Sequence, residues 1–67
     1  MNRIQQKIQT ILEQQGKTIA QLAQDAGVSP NIIYVIKSRV CGGKPVSPRS
    51  RFMLAKVLQT TVEDLFG

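Results

Sequence analysis

The chain has 67 residues, of which 42% are hydrophobic, and its formal net charge at pH 7 is +5. Domains of about 60 residues bury only about 60% of the surface that their unfolded chains expose, so this length excludes a second domain and a deep substrate cavity. No apolar run approaches the roughly 18 residues of a membrane span, and we expect one soluble domain over residues 1–67.

The first half of the chain predicts two helices. Gly16 can end the first one in a left-handed conformation. Thr18 can cap the second, and Gln21, three residues later, completes a capping box. Apolar residues at helical spacing predict a buried face for each helix: Ile4, Ile8, Ile11 and Leu12 in the first, and Ile19, Leu22, Ala23 and Ala26 in the second.

After a tight turn at Gly27, a third helix is predicted to begin with Ser29 as its N-cap and Pro30 at its first position. There the missing N–H of proline costs nothing. We expect this helix to run to about Ser38. The segment "RVCGGKPV" then predicts a loop, because two glycines and a proline interrupt any periodicity.

The cap-then-proline pair returns at Ser47 and Pro48 and predicts a fourth helix. Before a last helical turn, a second capping box is predicted from Thr60, Thr61, Glu63 and Asp64. The apolar positions of these two helices are Phe52, Leu54, Ala55, Leu58, Val62, Leu65 and Phe66. The chain has no strand signal, so the predicted fold class is all-α.

The positive charge is concentrated in one segment. Residues 37 to 56 contain no acid, and their cations are Lys37, Arg39, Lys44, Arg49, Arg51 and Lys56. The acids of the chain lie outside it: Glu13, Asp25, Glu63 and Asp64. Such a segment is typical of a surface that binds a polyanion. A solvated face that only maintains solubility explains the same charges, and the charge alone does not separate these interpretations.

Two short helices joined by a turn with Gly27, and with the small Ala23 where they cross, are typical of a helix-turn-helix. The segments "LAQDAGVSPNIIYVIKS" and "PRSRFMLAKVLQTTVEDLF" together resemble the phage repressor and Cro family of DNA-binding domains, also called the Xre type. The matching positions are Leu22, Ala23, Gly27, Val28, Ser29, Ile33 and Ile36, followed by Leu54, Ala55, Leu58, Val62 and Leu65. The resemblance implies a compact five-helix, lambda-repressor-like domain with its helix-turn-helix at about residues 18–38.

The family resemblance also implies which residues contact DNA. Those expected to face the bases of the major groove are Ser29, Pro30, Asn31, Ile32 and Val35. A carboxamide such as that of Asn31 can pair with adenine, and branched aliphatic side chains can touch thymine methyls. The sequence leaves two alternatives open. Asn31 is otherwise an ordinary exposed residue of a first helical turn, and Ile32 and Val35 otherwise pack at the edge of the domain.

Contacts to the DNA backbone are expected from Lys17, Thr18, Lys37, Ser38, Arg39, Lys44, Arg49 and Arg51. Thr18 begins a helix, where phosphate can bind, although capping alone explains that residue equally well. Arg49, at the start of the fourth helix, is also placed to enter a minor groove. Simple solvation is the alternative for each of these cations.

Catalysis is not expected. The chain has no histidine and therefore no imidazole base, and its acids do not cluster as a catalytic pair. We expect no metal, no cofactor and no small-molecule substrate. The single cysteine, Cys41, is expected in a loop with no redox role. The polar start "MNRIQQKIQT" is unlike a signal peptide, so we expect a cytoplasmic location in a bacterial host.

Two functions from different classes follow. The first is a Cro-like transcriptional regulator, repressor or activator, of a phage, plasmid or other mobile element, which binds double-stranded operator DNA as a homodimer. Its subunit contact is predicted in "VEDLFG", although Phe66 can equally complete the core of one monomer. In the second, the same scaffold contacts another protein, as an antirepressor or partner-binding module does, through the apolar Ile32, Tyr34 and Val35.

Overall fold

A computed structural model describes residues 3–67, which form five α-helices and contain no strand. The helices are α1 (Arg3–Gln15), α2 (Ile19–Asp25), α3 (Pro30–Cys41), α4 (Pro48–Val57) and α5 (Val62–Phe66). The all-α prediction is therefore confirmed. Within the described part of the chain, no helix is both long enough and apolar enough to cross a lipid bilayer.

Local capping explains where most helices begin. At α2 the predicted capping box is present: the Gln21 backbone N–H donates to Thr18 Oγ1, and the Thr18 backbone N–H donates to Gln21 Oε1. Ser47 and Thr61 cap α4 and α5 with the first of these two bonds, each accepting a hydrogen bond from a backbone N–H three residues later. The capping box predicted at Thr61 is therefore only half present, because the reciprocal side-chain bond occurs only at α2 among the described helices. Ser29 is at the N-cap position of α3, but its side chain makes no capping hydrogen bond. Pro30 follows it in the first turn of α3, as predicted.

Three helices end in the same hydrogen-bonded motif. After α2, the backbone N–H of Val28 donates to the Ala23 carbonyl at 2.9 Å, and Gly27 has a φ of +72°. This is the Schellman arrangement, in which one residue takes the left-handed conformation that glycine adopts without strain. Gly43 occupies that position after α3, whereas Gln59, at φ +60°, occupies it after α4. Gln59 is thus a side-chain-bearing residue in a conformation that favours glycine.

The core lies where the helices meet. Its buried residues are Ile8, Ile19, Leu22, Ala23, Ile33, Ile36, Val40, Leu54, Ala55, Val57, Leu58 and Leu65. Helix α3 packs against α1, α2 and α4, and α4 packs against α2, α3 and α5, so these two helices form the centre of the fold. Ala23 is fully buried, and its small side chain lets α2 approach α3 closely. The predicted face of α1 is confirmed, with Ile8 buried and its apolar neighbours packed at the edge of the core.

The predicted end of α3 at Ser38 is wrong. The helix continues for one more turn, because Val40 extends the buried stripe of Ile33 and Ile36 at helical spacing and is itself buried. Cys41 is consequently not in a loop: it is the last residue of α3 and packs, half-buried, against the core. The loop before α4 is therefore shorter than predicted and covers only residues 42–47.

Phe52, one of the apolar positions named for α4, does not pack in the core, since 62% of its surface is exposed. Two helical residues are separated by about 200° around the axis, so Phe52 points away from the face that carries the buried Leu54. Val57, which the sequence pattern did not single out, is buried instead. Phe66 is half-buried against the core, as the monomer alternative expects.

Candidate nucleic-acid interface

The outward face of α3 is unusually apolar. Ile33 and Ile36 point into the core, which leaves Ile32, with 49% of its surface exposed, and Val35, with 59%, on the outside. Asn31 is exposed beside them in the first turn of the helix. The residues that the sequence assigned to base contacts therefore include one carboxamide and two branched aliphatic side chains on a single accessible surface.

These side chains form one wall of a shallow depression between α3 and α4, which we call the α3–α4 groove. It has a volume of about 340 Å³. Its lining consists of Asn31, Ile32, Val35, Ile36, Arg49, Ser50 and Met53. Arg49 is the only charged residue in this lining. The structure thus places three of the predicted base-contact residues of α3 beside Arg49, which the sequence predicted to contact the DNA backbone.

The first two predicted base-contact residues lie at the start of α3. Ser29 is exposed, and because its hydroxyl does not cap the helix, that group is accessible to a ligand. Pro30 is half-buried and does not line the α3–α4 groove. Its ring lies in the first turn of α3, where it contributes to helix geometry more than to the accessible surface.

Several predicted backbone ligands already have partners within the protein. Lys17 Nζ lies 2.9 Å from Asp25 Oδ2, in an ion pair of two half-exposed side chains. Arg39 Nη2 donates to the Pro45 carbonyl at 3.2 Å and so ties the end of α3 to the following loop. Thr18 Oγ1 accepts the capping hydrogen bond of α2, which still leaves its O–H as a donor. These residues therefore have structural roles, and the sequence alone could not show whether they contact the protein itself or a ligand.

The remaining predicted ligands do not share one surface. Lys37 is half-buried and Ser38 exposed on α3, and neither lines the α3–α4 groove. Lys44 and Arg51 line a different depression, together with Arg3 and Lys7 of α1. Arg49 and Arg51 are two residues apart on α4, so their side chains leave the helix about 200° apart and reach different surfaces.

Sequence reasoning missed Arg3 and Lys7 because they lie far from the basic segment along the chain. No local signal could have found them, since only the packing of α1 beside α5 brings them near Arg51. No protein-family model matches this chain, and no curated protein or solved structure matches it significantly.

Proposed function

We propose that this protein is a sequence-specific DNA-binding regulator of transcription, of the phage repressor and Cro type. In this proposal α2 and α3 form a helix-turn-helix, and α3 enters the major groove of operator DNA. The connection between them consists of residues 26–29 alone, which is the short turn that such a motif needs.

The observation that carries the proposal is the composition of the α3–α4 groove. Asn31, Ile32 and Val35 are exposed on one helix, and Arg49 lines the same depression from the next helix. A carboxamide can read a base edge, aliphatic groups can contact thymine methyls, and a neighbouring guanidinium can bind a phosphate or enter a minor groove. The surrounding segment from residue 37 to residue 56 contains no acid that would repel DNA.

The same composition defines the preferred bases. From Pro30 to Ile36, α3 has no arginine or lysine that could pair with guanine. The complementary groups are then adenine edges and thymine methyls, so the preferred half-site is rich in A·T pairs. A selection of bound duplexes from a random library identifies that half-site.

Val35→Ala tests direct reading by α3. We expect the variant to lose up to about 1 kcal/mol of discrimination against mismatched DNA, the free energy of one or two methyl contacts, with unchanged binding to random DNA. The measurement is a titration of wild type and variant against matched, mismatched and random duplexes. Equal losses on all three duplexes, or no loss on any, would contradict direct reading by α3.

Two copies are expected on each operator. One small domain contacts few base pairs, and proteins of this architecture place two reading helices about 34–36 Å apart, one turn of DNA. Footprinting on the selected operator should show two half-sites with that spacing and two proteins per duplex. A single unrepeated half-site with one bound protein would exclude this arrangement.

A second candidate function has one observation in its favour. Tyr34, with 47% of its surface exposed, adds a large ring to the apolar outer surface of α3, next to Val35 in the chain. Exposed aromatic side chains are enriched at protein interfaces. If α3 contacts a protein partner, Val35→Ala leaves DNA binding unchanged and weakens the protein complex, so the titration above also separates these functions.

A further inference from the structure

A second depression, the cationic groove, lies where the start of α1, the loop after α3 and the end of α5 meet. It has a volume of about 460 Å³. Four cations, Arg3, Lys7, Lys44 and Arg51, line it, and no acidic side chain does. Its floor is apolar and includes Val46 and Phe66, both half-buried.

Two of the cations are held in place by neighbouring groups. Lys7 Nζ donates to the Asp64 carbonyl at 2.9 Å, which leaves two of its three N–H donors for a ligand. The guanidinium carbon of Arg51 lies 5.5 Å from the centre of the Phe66 ring, a cation–π contact, and Arg51 is exposed. The one ion pair within residues 3–67 joins Lys17 and Asp25, so none of the four cations is neutralised by a carboxylate there.

The concave shape and the apolar floor of the cationic groove favour some anionic ligands over others. DNA is convex and presents phosphates, and it needs no concave apolar floor. A peptide with acidic side chains around an apolar one fits better, because its carboxylates can meet the cations while the apolar side chain contacts Val46 and Phe66. Asp64 lines another depression, which shares Arg3 and Lys7 with the cationic groove, and it is not in the lining of the cationic groove itself.

We propose that the cationic groove binds an acidic, amphipathic peptide segment of a partner protein. This interaction is separate from the proposed DNA contact, since Arg51 and Arg49 reach different surfaces of α4.

The test uses a short fluorescein-labelled peptide in which glutamates flank a single leucine. Fluorescence anisotropy should show saturable binding to the full chain that weakens as salt is added. Arg51→Gln should weaken this binding roughly three- to fivefold, as expected for one partly exposed charge pair, and Lys44→Gln combined with it roughly tenfold. A probe with serine in place of the leucine should bind several-fold less tightly.

Arg49→Gln is the matched control, because it removes the same charge from the same helix on the other surface. It should leave peptide binding unchanged. Circular dichroism establishes that each variant remains folded. Absence of saturable binding, equal losses from Arg49→Gln and Arg51→Gln, or equal affinity for the serine probe would each overturn the proposal. If Arg51→Gln weakens DNA binding as much as peptide binding, the groove is a DNA contact instead.

Discussion

The α3–α4 groove and the cationic groove are both shallow depressions, yet their chemistry differs. The first has aliphatic walls, one carboxamide and one cation, Arg49. The second has an apolar floor and four cations drawn from α1, the 42–47 loop and α4. Helix α4 separates them, because residues two positions apart on a helix point in nearly opposite directions. A basic segment of the sequence is therefore not the same thing as a basic surface of the folded protein.

The largest expected effect is on the free energy of unfolding, because a variant that unfolds loses both grooves. Leu54 is fully buried in α4, and Leu54→Ala should cost about 2–5 kcal/mol. A domain of this length has a free energy of unfolding of only about 3–10 kcal/mol, so the loss is a large fraction of it and should lower the Tm by at least about 8 °C. Thermal unfolding followed by circular dichroism measures the loss.

Phe52→Ala, on the same helix, is the control for this loss. Its ring is mostly exposed, and we expect a change within about 0.5 kcal/mol. A loss from Phe52→Ala as large as that from Leu54→Ala would contradict the outward orientation of Phe52.

A smaller effect, on the salt dependence of DNA binding, should distinguish the α3–α4 groove from the cationic groove. Arg49→Gln should weaken binding to all DNA sequences alike and make the slope of log affinity against log salt shallower by about 0.9, the value for one phosphate contact. Arg51→Gln should leave that slope unchanged. The measurement is a salt titration of both variants on one duplex. Identical slopes for the two variants would remove the distinction between the grooves as far as DNA is concerned.

The smallest expected effect is a change in the free energy of unfolding that leaves both grooves unchanged. Gln59 holds a left-handed conformation at φ +60°, which costs a residue with a side chain about 1 kcal/mol. Gln59→Gly should therefore raise the free energy of unfolding by up to about 1 kcal/mol, with no change in affinity for DNA or for the acidic peptide. Chemical denaturation measures it. Gly43→Ala, at φ +74°, is the opposite control and should destabilise the protein by a similar amount.

Much of the fold could be predicted because capping is local. Thr18, Ser47 and Thr61 each bind a backbone N–H three residues away, a contact that short sequence patterns specify. The predicted end of α3 is too early because Gly42, Gly43 and Pro45 indicated a loop from residue 39, although Val40 continues the helical spacing of Ile33 and Ile36. For the candidate site, the family resemblance indicated Asn31, Ile32 and Val35 of α3, which are exposed, and Arg49 of α4, which lines the same groove.

The sequence by itself determined the all-α class and most of the helix starts. These follow from periodicity and from contacts within a few residues. Only the tertiary structure decided which cations lie on the same surface. Arg3 and Lys7 line the same groove as Lys44 and Arg51 because α1 packs beside α5. Arg49 lines the α3–α4 groove instead, because it lies on the side of α4 that faces α3. Distances between helices depend on core packing, which no local pattern encodes.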